Sequence, residues 1–267
     1  MWAWLYSFTY LIGFILIVIA YNHWPKSQTR VEAYRPKVSD VFDYCHVNYP
    51  YMIPEPVVSI NVVYAVASAM LVGLATQLFY ATDAFGSRAY SKEISRGWNP
   101  YKFMSGAITT AIISTSVALL ENTRDAGSLM SIAFASFAMM FVGYSNESIL
   151  RGPITARVQD SLTSNSIVWW ILFATIWTPI VYNLYNLHID NSETGNKIAG
   201  YQWYILAMQL LYFIGYGVIQ LMQYNARLSG SYKISTTESQ WNSLTLFQNI
   251  SISSSVIWAL IYEARKC

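Results

Sequence analysis

Apolar positions along this chain fall into seven long blocks, near residues 2–21, 57–80, 99–120, 127–146, 165–187, 200–224 and 237–262. Each is close to the roughly 20 residues that a helix needs to cross about 30 Å of hydrocarbon, so each predicts a membrane-spanning helix. The charges and turn formers lie between the blocks, in segments such as TDAFGSRAYSKEISRGWNP, ENTRDAG, HIDNSETGNK and NARLSGSYKIS. The pattern predicts an all-α integral membrane protein, a single seven-helix transmembrane domain over residues 1–267. The connection 22–56 differs from the rest, holding WPKSQ, YRPK and YPYMIPEP and five of the eight prolines. It is expected to be a long exposed loop, with room for a short hairpin lying on the membrane surface.

Composition excludes a soluble alternative. Hydrophobic residues make up 54% of the chain and charged residues 11%, with a mean hydropathy of +0.31. A soluble helical bundle would need far more charge on its outward faces. The 21 tyrosines and 10 tryptophans suit the headgroup level, where an apolar ring keeps a polar tip wet. A net charge of +2 without a basic stripe leaves no nucleic-acid footprint. Cys45 and Cys267 cannot form a disulfide framework, and could pair only if the long loop met the C-terminus. The first block starts at Trp2 and lacks a small-residue cleavage pattern, so a retained helix is expected there.

Charge bias sets a direction. The side holding the N-terminus collects eight basic residues (Arg88, Lys92, Arg96, Lys102, Arg151, Arg157, Arg227 and Lys233) against five acidic ones. The other side also has eight basic residues, but four of them fall in the long first loop, and it has nine acidic ones. Short loops dominate the positive-inside rule, so the N-terminus is expected inside and the C-terminus outside. That is the reverse of ordinary seven-helix receptors and light-driven pumps. A plasma membrane, an envelope or an organellar inner membrane would all be compatible.

Charge within a bilayer marks ion paths, proton relays and counter-ions, because burying it is expensive. The middles of the blocks hold none. Lys102 comes three residues after Asn99 and is expected to snorkel to the interface. Glu121 and Glu147 stand at block ends, and His23, His46 and His188 lie at or beyond them, so no paired histidines have metal-ligand spacing. No interior carboxylate pair or Ser–His–Asp set is available for catalysis. Neutral polar residues are plentiful, among them Thr109, Thr110, Ser114, Thr115 and Ser116 in the third block. They are expected chiefly as hydrogen-bonding groups between helices, with the lining of a ligand pocket as the alternative. In the last block, LTLFQNISISSSVIWALIYE, Gln248, Ser251 and Ser255 share a side. Asn249 and Ser253 point about 100–140° away from Gln248, so this helix should meet more than one neighbour.

RGWNPYKFMSGAITTAIIS resembles the third-helix region of the heliorhodopsins, where a Gly-x-Asn-Pro turn leads into Arg-Trp-x-Glu-Tyr-Ser. Asn99 and Pro100 fit the turn, and Lys102 and Phe103 stand conservatively for Arg and Trp. AMMFVGYSNES is similar to that family's fourth helix, and LMQYNARLSGSYKISTTESQW to the join of its sixth and seventh, with Glu238 opening the seventh. The resemblance implies a retinal Schiff base on a seventh-helix lysine and a glutamate counter-ion on the third helix. This sequence departs at both places. Counting from Glu238 puts Asn249 at the lysine position, alignment on Trp258 puts Ser253 there, and Ser105 takes the counter-ion's place. The two losses are consistent, since an unpaired buried carboxylate is as costly as an unpaired buried cation.

These readings lead to a non-enzymatic, retinal-free heliorhodopsin-like protein, acting as a structural or accessory subunit. Its partners would be membrane lipids and either a second copy or other membrane-protein subunits. The alternative is a sensor or carrier that holds retinal, a carotenoid or a lipid non-covalently. Ser105 and Thr109 of the third helix and Gln248, Asn249 and Ser253 of the seventh would line that pocket. A channel or transporter is the weakest reading, as no charge-selective ring is visible.

Overall fold

The computed structural model describes residues 2–23, 30–38, 52–83, 88–150, 155–193 and 200–264. Its order is α1 (Trp2–His23), β1 (Arg30–Val38), β2 (Met52–Asn61), α2 (Val62–Thr82), α3 (Ala89–Ser95), α4 (Pro100–Leu120), α5 (Ala126–Ile149), α6 (Ala156–Glu193), α7 (Gly200–Leu228) and α8 (Ile234–Ala264). All but the short α3 are long and apolar enough to cross a bilayer, which gives seven candidate spans. Outward-facing Leu11, Phe134, Ile171 and Leu211 leave apolar surface that only lipid or a partner helix would cover. Cys45 and Cys267, whose pairing the sequence left open, lie outside the described residues.

Local chemistry fixes the helix starts. Asn61 Oδ1 accepts from Val63 and Tyr64 N–H at the head of α2, at 3.1 and 3.2 Å. Asn99 does the same for Tyr101 and Lys102, with Pro100 pre-set for the first turn of α4. Asp125 caps α5 by accepting from Ser128 N–H. The second span starts later than the pattern predicts. VVSIN continues β2 as far as Asn61, because its β-branched residues pair with β1 until the cap turns the chain.

The long first connection is therefore a hairpin in its described parts. β1 and β2 run antiparallel from Arg30 opposite Asn61 to Val38 opposite Met52, with an irregularity at Ala33/Tyr34. Past that point Tyr34 N–H donates 2.8 Å to the carbonyl of Arg124, which ties the hairpin to the turn between α4 and α5. At about 1.5 Å per residue the 38 residues of α6 extend well past a 30 Å hydrocarbon layer.

Between helices in lipid, close packing and hydrogen bonds replace the hydrophobic drive. Gly73 of α2 lets Tyr10 of α1 enter the bundle, since a Cβ at Gly73 would sit 2.1 Å from the tyrosine ring. Gly217 of α7 similarly admits Trp169 of α6, at 2.8 Å. The centre is aromatic: Tyr216 and Trp241 lie 4.0 Å apart by ring centroids, Trp177 and Phe213 5.2 Å, and Phe103 and Trp241 5.3 Å. The neutral polar groups do join helices. Ser114 and Ser136 connect α4 to α5 at 2.6 Å, and Gln209 donates to Ser251 at 2.8 Å to connect α7 to α8.

Candidate functional site

The cap that starts α4 also places its first charge. Lys102, one turn inside the helix, is 3% exposed and does not snorkel to the interface as its position suggests. Its ammonium lies 2.9 Å from Glu147 Oε2 on α5 and 2.9 Å from Glu238 Oε1 on α8. Asn99, itself fully buried, donates 2.7 Å to the other Glu238 oxygen, so the cap and the ion pair share one carboxylate. Phe103 and Trp241 stand 5.0 and 5.1 Å from the ammonium. Two acids from separate helices surround one lysine, and that makes burial tolerable where a lone charge would not be. Sequence reasoning placed all three residues at span ends and missed that the ends converge. The signal was present in Glu238 and Lys102, which both belong to motif segments.

Above the triad lies a cavity of about 30 Å³, lined among others by Tyr10, Lys102, Ser105, Thr109, Tyr212 and Trp241. That is room for a water or two. Ser105 and Thr109 are already partnered, donating to the carbonyls of Lys102 and Ser105 on their own helix at 3.4 and 3.0 Å. Gln248 is buried elsewhere in the bundle, 2% exposed, with no hydrogen-bond partner for its amide nitrogen among the described residues.

Asn249 and Ser253 face another way. They line a groove of about 330 Å³ between α1 and α8, with Thr9, Gly13, Met70 and Ile250. The Asn249 side chain hydrogen-bonds with Tyr10, while Ser253 Oγ contacts Met70 Sδ at 4.0 Å. The five candidate residues thus do not form one pocket. α8 does meet several neighbours, as its polar pattern implies: α1 at Asn249, α2 at Ser253, and α7 at Ser251 and Ser254.

At the opposite end of α4 from Lys102, Glu121 is completely buried, and neither carboxylate oxygen has a hydrogen-bond partner among the described residues. Burial alone raises its carboxyl to about 8. Nearby, Thr123 Oγ1 accepts from Asn183 of α6 at 3.0 Å, closing that end of the bundle. Among the described residues no group of three or more His, Cys, Asp or Glu could hold a metal ion.

Seven spans, a lysine pinned by carboxylates of two other helices and an aromatic interior define a rhodopsin-like integral membrane protein. A family model described as Heliorhodopsin matches residues 4–246, and the chain belongs to that family. No curated protein matches the chain. The matched segment ends before Asn249 and Ser253, and so before either position assigned to the lysine. The residues present do not fit a Schiff-base retinal. α8 has no lysine anywhere from Ile234 to Ala264, and the buried Lys102 is held in ion pairs.

Proposed function

We propose that this chain is a heliorhodopsin that works without a covalent retinal, as a non-enzymatic structural or accessory subunit of a membrane assembly. The observation that carries this is the lysine-free α8. A retinal aldehyde needs an amine there, and a protonated Schiff base needs a carboxylate where Ser105 stands. The interior supports the same reading, because its polar groups serve contacts between helices and its rings pack against one another. Lipids and either a second copy or other membrane proteins are its partners. The N-terminus lies inside, which puts the triad on the inner side and the hairpin outside; the basic short loops support this orientation.

The test is an absorbance spectrum, a solvent extract and a native mass measured on protein from its own membrane. A pigment-free protein co-purifying in a larger assembly is the expected result. A stoichiometric bound polyene, or a lone pigment-free monomer, would overturn the subunit reading. A second reading, a sensor or carrier that holds an apolar ligand without a covalent bond, is favoured by the α1/α8 groove.

A further inference from the structure

We infer that the cleft between the ends of α5, α6 and α7 binds the free hydroxyl of a neutral membrane lipid, with Asn146, Trp169 and Gln223 as its hydrogen-bond partners. This names one class of lipid partner and rests on that part of the reading above alone.

The cleft lies at the end of the bundle where Lys102 meets Glu147. Residues three apart on each helix share its walls: Gly143 and Asn146 on α5, Ser166 and Trp169 on α6, and Gly217, Gln220 and Gln223 on α7. Its volume is about 30 Å³, room for a group the size of a water. Gly217 admits the Trp169 ring, which stacks with Tyr216 and Phe173, so the indole N–H is held in place. Gln220 is already engaged. Its carbonyl accepts from Asn146 at 3.4 Å, and its side chain hydrogen-bonds with Tyr216.

Three polar atoms remain. Trp169 Nε1, Gln223 Nε2 and Asn146 Oδ1 belong to residues that are 2, 6 and 9% exposed, and none has a hydrogen-bond partner among the described residues. Two are donors and one is an acceptor. A hydroxyl complements this set, with one O–H for Asn146 Oδ1 and two lone pairs to accept from Trp169 and Gln223. Water would have a second O–H left over, and a ketone or ester oxygen would leave Asn146 unmet. No charged side chain is among the described residues that line the cleft, so a charged headgroup would find no counter-ion there.

Depth and access indicate the source. Asn146 is three residues from the end of α5 and Gln223 five from the end of α7, about 5 and 8 Å along the helices. That is the level at which hydrocarbon gives way to headgroups, where the hydroxyls of glycerides and sterols lie. Trp170 and Leu221 line the same cleft and are exposed on the lipid-facing surface. A lipid therefore reaches the site from the side, with its hydrocarbon lying over them.

The experiment uses the full chain in lipid nanodiscs, titrated with dioleoylglycerol and with cholesterol. Each is compared with its analogue lacking the hydroxyl, propylene glycol dioleate and cholestene. Apparent affinities come from the shift of the unfolding midpoint with ligand concentration. At least one hydroxyl lipid should bind about tenfold more tightly than its analogue, as one recovered hydrogen bond implies. The pair that shows the preference names the source. Trp169→Phe, which keeps an aromatic ring and deletes the N–H, should lower that ratio, and adding Gln223→Met should bring it near one. The ratio compares two ligands on the same variant, so a general loss of stability cancels. Equal affinities within both wild-type pairs would overturn the proposal and assign the cleft to water. A preference that survives the double variant would place the hydroxyl elsewhere and overturn it equally. Pigment content and native mass test the subunit reading separately, so its failure and this one are distinguishable.

Discussion

Lys102 and Glu238, 136 positions apart in sequence, are joined by a 2.9 Å ion pair inside the bundle, and Glu147 completes the set from a third helix. The triad therefore clamps α4, α5 and α8 at one end. Removing the lysine would strand two buried carboxylates. Lys102→Met should destabilise the protein by about 3–5 kcal/mol, while Lys102→Arg should retain most of the stability. Unfolding of the purified variants in one detergent would measure the difference, and a neutral Lys102→Met would contradict the clamp.

Glu121 makes stability depend on pH in a particular direction. Its carboxyl lies at about 8 in the fold against an ordinary value of 4.5, because burial disfavours the charge. Below the ordinary value both states are protonated. As pH rises from about 4.5 to about 8 the unfolded chain loses this proton while the fold keeps it, so the contribution to stability falls. Glu121→Gln should therefore match the wild type near pH 4 and exceed it at pH 8, by up to about 5 kcal/mol. The difference between the two melting-versus-pH curves isolates this residue from other titrations. Parallel curves would show that the carboxyl titrates normally.

Gly73 should not tolerate even one methyl group. The Tyr10 ring occupies the place a Cβ would need, and its hydroxyl end is held by Asn249. Gly73→Ala should push Tyr10 outward and cost about 1–3 kcal/mol, the usual range for overpacking. Loss of the Tyr10 contact would add to this. The unfolding midpoint measures the cost, and combining Gly73→Ala with Tyr10→Ala should recover part of it.

Restoring an amine should not restore a pigment. Asn249→Lys puts an ammonium in a wall whose described lining residues include no carboxylate, while Glu147 and Glu238 are already paired with Lys102. Added retinal should give no absorbance band beyond that of free retinal, and the variant should be less stable by a few kcal/mol. A red-shifted band from this single substitution would show that the interior can still accommodate the chromophore.

Much of the fold was legible because membrane spans report themselves through length and apolarity. The α4 start was legible too, as an Asn cap followed by Pro is a local signal. The start of α2 was misjudged by five residues because Val57–Asn61 is apolar enough to read as helix, and only pairing with β1 makes it strand. Lys102 was misplaced for a similar reason. A lysine one turn into a span snorkels by default, and its burial requires acids supplied by distant helices. The candidate pocket residues could be named from helix positions, but not grouped, because which faces meet depends on crossing angles that the sequence does not state.

By itself, then, the sequence determined an integral membrane protein of seven spans, its likeness to heliorhodopsins, and an α8 with no amine. These follow from local properties: residue type, run length and motif spacing. Only the tertiary structure decided that the charges at three helix ends form one buried triad. It likewise separated Ser105 and Thr109 from Asn249 and Ser253, and left the Glu121 carboxylate buried with no hydrogen-bond partner among the described residues. Each of those results is a relation between helices, set by which side chains from different helices, such as Tyr10 and Trp241, come to line the same interior volume.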